Sequence, residues 1–184
     1  MSGGSPRHAD EPVQVARVDD RLFVIRVAGR GCYQNAGGLK QLFDSLTGAD
    51  PDTELIIDLE RCTSLDSTFM GVLAGVGLNQ RASKRGRMML VNLNEHTSRQ
   101  LHTLGLNHIL DIRTGPTELP SSSGTLFEKI PEAQPQSRIE QIRMMIEAHE
   151  RLIDAHRGNE VRFQGVLAYL GESLERAKQA PENH

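Results

Sequence analysis

The residues best suited to chemistry in this sequence lie at a predicted turn between a strand and a helix. Leu65, Asp66, Ser67 and Thr68 follow an apolar run and precede an apolar helical segment. Asp, Ser and Thr favour the first positions of helices, where their oxygen atoms accept hydrogen bonds from free backbone N–H groups. The Ser67 hydroxyl is therefore predicted at the positive end of a helix, where a negatively charged group is stabilised.

The strand that positions this turn is predicted over residues 53–58. Its apolar run, Leu55-Ile56-Ile57, lies between Thr53 and Asp58 and is typical of a strand covered on both faces. The helix after the turn extends to about Ser83. Small α/β proteins commonly bind ligands beyond the carboxyl ends of such strands. Spacing alone leaves two roles open for the turn, a binding site or a simple helix cap worth about 1 kcal/mol.

The other predicted elements alternate between strands and helices. They are a hairpin of two strands over residues 13–18 and 21–28, a helix from Asn35 (N-cap) to Thr47 with Gly48 as its C-cap, a strand over 88–93, a helix over 95–104 and a short last strand over 106–112. The order ββαβαβαβ predicts an α/β fold with a mixed β-sheet and helices packed against it.

At 184 residues the chain is long enough for one ordinary domain and an appendage. Residues 1–12 are rich in Gly, Ser, Pro and charge and are predicted to be disordered. Residues 13–113 form the predicted domain, and residues 114–136 a Pro/Ser-rich linker. Within the linker, Leu126, Phe127 and Ile130 are expected to contact the domain surface.

The appendage, residues 137–179, has apolar side chains at helical spacing from Ile139 to Ala177. One interpretation is a single long helix that forms a coiled coil with a second copy. The other is a helical hairpin that breaks at Gly158-Asn159, a C-cap glycine followed by an N-cap residue. The hairpin is favoured because Gly costs about 1 kcal/mol inside a helix.

Composition argues against several classes of function. The formal net charge is −3, so nucleic acid is not an expected partner. The apolar runs are too short to span a membrane, and no secretory signal is visible, which favours a cytoplasmic protein. Cys32 and Cys62 lack metal-ligand spacing and are expected to be buried or half-buried thiols. His149 and His156 lie seven positions apart and are expected to pack between helices, so neither a metal nor a cofactor is predicted.

An enzyme that uses Ser67 as a nucleophile is disfavoured. His96, His102 or His108 could serve as its base, but the sequence has no Gly-x-Ser-x-Gly motif and no evident third member of a triad.

The span from Val13 to Ile112 resembles the STAS domain, the fold of the anti-sigma factor antagonists. The resemblance rests on residues 55–59, 65–68 and 70–73, with further similar segments at 84–92 and 101–106. The Asp66-Ser67 pair at the turn is the most specific of these features.

The resemblance implies a non-enzymatic signalling switch. Family members of this type are phosphorylated at the position of Ser67 by a partner kinase that is often also the anti-sigma factor, and a phosphatase resets them. The unphosphorylated form binds the partner. Thr68 is the alternative phosphoacceptor. The implied partner-binding surface consists of Ser64, Leu65, Asp66, Ser67, Thr68, Met70 and Gly71.

The chain departs from the family pattern at two places. Phe69 stands where the family usually has Gly and is expected to add bulk beside the phosphoacceptor, and no acidic residue occurs in Cys32–Asn35. Two other functions stay open: a scaffold subunit in which Ser67 only caps the helix, and a sensor of a small ligand or nucleotide. The C-terminal helices are expected to add self-association, as a homodimer, or a second partner surface.

Overall fold

The protein is a mixed α/β structure with a helical hairpin at its C-terminal end. The computed structural model describes residues 12–120, 126–130 and 136–179, so the predicted disordered N-terminus lies almost wholly outside the described residues. The strands are β1 (Val13–Arg17), β2 (Leu22–Val27), β3 (Gly29–Gly31), β4 (Glu54–Asp58), β5 (Cys62–Leu65), β6 (Arg87–Val91), β7 (Asp111–Ile112) and β8 (Glu128–Lys129). The helices are α1 (Tyr33–Ala49), α2 (Ser67–Ser83), α3 (Glu95–Thr103), α4 (Arg138–Ala155) and α5 (Asn159–Gln179), with a 3-10 turn at Leu106–His108.

The main sheet has the strand order β7-β6-β4-β2-β1-β8. Strands β2, β4, β6 and β7 run parallel to one another, whereas β1 is antiparallel to both β2 and β8. The central strand β4 is buried along Leu55, Ile57 and Asp58, as expected for a strand covered on both faces. The predicted mixed sheet and its helices are therefore confirmed.

Three short strands were not predicted: β3, β5 and, within the predicted linker, β8. Strands β3 and β5 pair with each other in parallel as a separate two-stranded sheet, with Gly31 opposite Leu65. Neither has the apolar alternation that identifies a strand in sequence, because each is only three or four residues long. The pairing is important for the site, since β5 leads directly into α2.

Three predicted boundaries were wrong. Helix α1 begins at Tyr33, two residues before the predicted N-cap, and ends at Ala49 beyond Gly48. Asn35 is its third residue, and the Asn35 side chain accepts a hydrogen bond from the Cys32 backbone N–H at 2.9 Å. Only residues 111–112 of the predicted last strand are extended, because the chain before them forms the 3-10 turn.

The predicted linker contributes a strand to the sheet. Glu128 and Lys129 of β8 pair with Val15 and Gln14 of the edge strand β1. Next to β8, the guanidinium of Arg26 lies 3.9 Å from the centre of the Phe127 ring. Ile130 is buried, whereas Leu126 is exposed. The expected contact of this apolar patch with the domain is thus made by two of its three members, and the Ser-rich part of the linker lies outside the described residues.

The C-terminal region is a helical hairpin, as favoured from the sequence. Helices α4 and α5 are separated by three residues and pack on each other, and Phe163 and Leu170 are buried on α5. Asn159, the predicted N-cap, has another role, since its buried side chain donates hydrogen bonds to the carbonyl oxygens of Leu152 and Leu104. None of the helices in the described ranges is long and apolar enough to cross a membrane.

Candidate functional site

The turn between β5 and α2 is organised by the Asp66 carboxylate. Asp66 is the N-cap of α2, and its Oδ1 accepts a hydrogen bond from the Phe69 N–H at 2.8 Å. Its Oδ2 accepts from the Tyr33 N–H, also at 2.8 Å. One side chain therefore accepts hydrogen bonds from free N–H groups at the starts of both α1 and α2. The sequence predicted such a bond only at the start of α2.

The backbone before the turn is held by α3. The amide of Gln100 donates to the Leu65 carbonyl at 2.8 Å, and its oxygen accepts from the Leu65 N–H at 3.0 Å. The Asp66 N–H donates to the Gly31 carbonyl at 2.8 Å. These bonds fix Ser67 in position at the first residue of α2. Sequence reasoning missed Gln100 because its contact with Leu65 joins residues 35 positions apart.

Ser67 does not face open solvent. Its side chain is half-buried, and its Oγ lies 2.9 Å from Nε2 of His149 on α4. The other ring nitrogen, Nδ1, lies 2.7 Å from the Met145 carbonyl oxygen. Because a carbonyl only accepts, Nδ1 carries the proton in the neutral ring, and Nε2 accepts the hydroxyl proton of Ser67.

His149 is the residue of this site that sequence reasoning did not connect to Ser67. It is buried, and its ring contacts Phe163 edge-on, with the centroids 5.1 Å apart. The expectation that His149 and His156 pack between helices is confirmed for His149, which also bonds Ser67, but was wrong for His156, which is exposed at the C-cap of α4. The available signal was a histidine at an apolar position of the α4 repeat. None of His96, His102 and His108 bonds Ser67, and the partner of His149 Nδ1 is a backbone carbonyl rather than a carboxylate.

The other predicted partner-binding residues lie around the first two turns of α2. Leu65, Thr68 and Met70 are buried, and Ser64 and Asp66 are half-buried. A Cβ at Gly71 would run into the backbone carbonyl of Ala148 on α4. The structure thus brings the seven predicted residues together, but α4 packs directly over Ser67 and Gly71.

Phe69 does not lie on this surface. Its side chain is fully buried, and it packs against the position that a Cβ of Gly31 would occupy. The expectation that Phe69 adds bulk beside the phosphoacceptor was therefore wrong. A side chain two positions along a helix points about 200° away, here into the core.

A surface pocket of about 420 Å³ borders Ser67. Its lining includes the apolar side chains of Met70 and Phe163 together with Arg99 of α3 and Arg162 of α5. Both arginines are exposed. The pocket therefore has apolar side chains beside two guanidinium groups, and that of Arg99 also lies 3.6 Å from the Glu95 carboxylate. Guanidinium groups of this kind can bind an anionic group.

Thiol and metal chemistry add little to this site. Cys32 is half-buried and Cys62 is buried, both as free thiols, as expected. Burial raises the pKa of the Cys62 thiol, which makes it a poor nucleophile. Within the residues that the structure describes, no three His, Cys, Asp or Glu side chains are placed to hold a metal ion.

Comparison with known proteins places the site in a family context. The family model of the STAS domain matches residues 14–119, which is more than half of the chain. No curated protein shows significant sequence similarity.

Three solved structures resemble this chain to a similar degree, by sequence identity, TM-score and the share of each chain that is covered. A protein of Thermotoga maritima classed as a candidate anti-sigma factor antagonist is 21% identical, with a TM-score of 0.48, covering 53% of this chain and 82% of its own. The anti-sigma factor antagonist SpoIIAA in its unphosphorylated form is 21% identical, with a TM-score of 0.47 and coverages of 56% and 88%. An anti-sigma factor antagonist from Mycobacterium paratuberculosis is 23% identical, with a TM-score of 0.46 and coverages of 55% and 85%.

Proposed function

Because the chain belongs to the STAS domain family, we propose that it is an anti-sigma factor antagonist-like binding module switched by phosphorylation of Ser67. The observation that carries this proposal is the placement of Ser67 as the first residue of α2, immediately after the Asp66 N-cap. The partner is a serine kinase that also acts as an anti-sigma factor, and a phosphatase resets the module. The module acts by binding, without catalysis of its own.

The chemistry of the switch follows from charge. The partner kinase transfers the γ-phosphoryl group of ATP to the Ser67 Oγ, and ADP and the hydroxyl proton are released. The phosphate adds about −1.5 to −2 charges at neutral pH. At a helix N-terminus this charge is tolerated. The neighbouring Asp66 carboxylate has the same sign, so the combined negative charge repels an acidic partner surface and changes binding rather than the fold.

The partner-binding surface of the proposal is that of Ser64, Leu65, Asp66, Ser67, Thr68, Met70 and Gly71. Thr68 is the alternative phosphoacceptor. Its side chain is buried, whereas that of Ser67 is half-buried and borders the pocket, so Ser67 is the better acceptor.

The test is affinity capture from the native cell's lysate with wild type, Ser67→Ala and Ser67→Asp as baits, read by mass spectrometry. A kinase captured by Ser67→Ala and lost with Ser67→Asp supports the switch, and the phosphosite on wild type should map to Ser67. Ser45→Ala, which changes an exposed serine on α1, is the control and should behave as wild type. Identical partners for all baits would instead indicate a scaffold subunit in which Ser67 caps α2.

A second candidate function, sensing of a small anionic ligand, is favoured by the pocket beside Ser67, because Arg99 and Arg162 line it. Its test is a thermal shift of the full chain with ATP or inorganic phosphate. A shift that disappears in Arg99→Gln/Arg162→Gln supports ligand sensing. Arg143→Gln, an exposed arginine on α4, is the control.

Self-association through the hairpin is also part of the proposal. Val161 and Tyr169 of α5 are 77% and 64% exposed, large values for such side chains. Sedimentation of wild type should show a dimer at high concentration, and Tyr169→Glu should shift the equilibrium toward the monomer.

A further inference from the structure

We infer that the α4–α5 hairpin is an intramolecular cover of the partner-binding surface, and that it must lift from α2 before a partner can bind. This inference rests on the proposed function, since it concerns the regulation of the same surface. The hairpin begins at Arg138, beyond the end of the STAS match at residue 119. The cover is therefore supplied by a segment outside the domain that carries Ser67.

The cover occupies the two central positions of the surface. At Ser67, the hydroxyl donates to His149 and is not free for a kinase. At Gly71, the α4 backbone at Ala148 lies so close to α2 that not even a methyl group fits between them. A partner that contacts Ser67 and Gly71 at the same time has to take the place of α4.

The hairpin is bonded to the domain at two further points. At the middle of α4, the Lys40 ammonium of α1 lies 3.7 Å from the Glu147 carboxylate. At the start of α5, the Asn159 amide donates to the Leu104 carbonyl, which belongs to the domain, at 2.9 Å. Between these points, Leu152 is fully buried against the core. The closed arrangement is thus a specific, packed state.

The bonds across this interface are of a kind that water can replace. The Ser67 hydroxyl, the His149 ring and the Leu104 carbonyl all regain hydrogen bonds to water when the hairpin lifts. The contact at Gly71, Gly75 and Ala148 is made by small residues, whereas Met144, Leu152 and Phe163 of the hairpin belong to the hydrophobic core. Opening exposes these three side chains to water, so the closed state is strongly favoured and the open fraction is small. Strand β8 stays attached on its own, because it pairs with β1 at the edge of the main sheet.

The equilibrium between the closed and the open hairpin then controls the apparent affinity for the partner. If only a fraction of molecules is open, the apparent affinity for the partner falls in proportion to that fraction. Any change that opens the hairpin without touching the partner-binding surface should raise the apparent affinity.

The opening variant is Ala148→Arg, which inserts a long side chain into the closest contact with α2 but lies outside the STAS domain. Its matched control is Ala168→Arg, the same substitution at an exposed position of α5. Hydrogen–deuterium exchange of the full chain is measured first. In Ala148→Arg the amides of α4 should exchange at least about tenfold faster than in wild type, while β4 and β6 keep their protection. Ala168→Arg should match wild type.

Capture of the kinase partner is measured next, with wild type, Ala148→Arg and Ala168→Arg as baits. Ala148→Arg should retain more partner than wild type and Ala168→Arg. A closing variant provides the converse test. This variant carries Gly75→Cys and Arg151→Cys, which should form a disulfide between α2 and α4, and Cys32→Ser removes a competing thiol. Positions 75 and 151 face each other across the interface, since a Cβ at position 75 would be 3.4 Å from the Arg151 Cγ. The oxidised chain should capture less partner than the same chain after reduction.

Three results would overturn the inference. In the first, the amides of α4 in wild type exchange only together with the sheet, which makes the hairpin a permanent part of the fold. In the second, Ala148→Arg opens the hairpin but weakens capture, which makes α4 part of the partner-binding surface. In the third, oxidation of the cysteine pair leaves capture unchanged. If no bait captures a kinase, Ser67→Ala included, the proposed function fails. In that case, hydrogen–deuterium exchange of the α4 amides that is faster than that of the sheet still supports a hairpin that opens.

Discussion

The Oγ of Ser67 and the Nε2 of His149 lie 2.9 Å apart although 82 positions separate the two residues in the chain. Ser67 begins α2 within the STAS domain, and His149 belongs to α4 in the appended hairpin. The bond joins the phosphoacceptor of the proposed switch to the helix that covers it. Both the stability and the regulation of the protein should therefore depend on this pair.

The first prediction concerns the energy of this bond. Ser67→Ala should cost about 1–3 kcal/mol in the free energy of unfolding, because it leaves a buried ring nitrogen without a partner. His149→Ala should cost more, since it also removes the ring contact with Phe163. Urea denaturation of both single variants and the double variant should give a coupling energy of about 0.5–1.5 kcal/mol. A coupling energy near zero would show that the two groups do not bond in solution.

The second prediction compares two glycines of α2. A Cβ at Gly71 would collide with the Ala148 backbone, whereas a Cβ at Gly75 would lie 3.4 Å from the flexible Arg151 side chain. Gly71→Ala should therefore destabilise the closed hairpin. Gly75→Ala should be neutral or stabilising by up to about 1 kcal/mol, because Ala has the higher helix propensity. Thermal unfolding of the two variants checks the difference in sign, and equal effects would mean that α4 does not pack against Gly71.

The third prediction concerns the Asp66 carboxylate, which accepts from both Phe69 and Tyr33. Asp66→Ala removes both acceptors and should cost about 2 kcal/mol, at the upper end for an N-cap. Asp66→Asn keeps one oxygen and should cost clearly less. Chemical denaturation of the two variants measures the difference. If Asp66→Asn is as stable as wild type, the second acceptor oxygen, and with it the bond between the starts of α1 and α2, contributes nothing.

The fourth prediction is a pH dependence at the start of α4. The backbone N–H and the hydroxyl of Ser137 hold the pKa of Glu140 below its ordinary value. The charged carboxylate therefore stabilises the folded state above the unfolded pKa, and this contribution is lost as the pH falls through the lowered folded pKa. Glu140→Gln should be less stable than wild type at neutral pH, and the difference should shrink in acid.

Denaturation of both proteins from neutral pH to about pH 3 checks this dependence. The control is Glu150→Gln, which removes the same charge from an exposed position of α4 without a capping bond. A difference between Glu140→Gln and wild type that stays constant across the pH range would contradict the capping role of the carboxylate.

The sequence by itself determined the alternation of strands and helices, the helix start at Asp66 and the break between α4 and α5. These features depend on residues a few positions apart, because helix capping and hydrophobic periodicity are local properties of the chain. The resemblance to the STAS domain likewise rests on short segments, and the family match confirms it.

Only the tertiary structure decided what surrounds Ser67. Three contacts join residues that are distant in sequence. They are the bond between Ser67 and His149, the hydrogen bonds between Gln100 and Leu65, and the pairing of β3 with β5. Such contacts depend on which faces of the elements pack together, and periodicity identifies an apolar face without naming its partner. For this reason the sequence could predict a phosphoacceptor at the start of α2, whereas the helix that covers it became visible only in the folded chain.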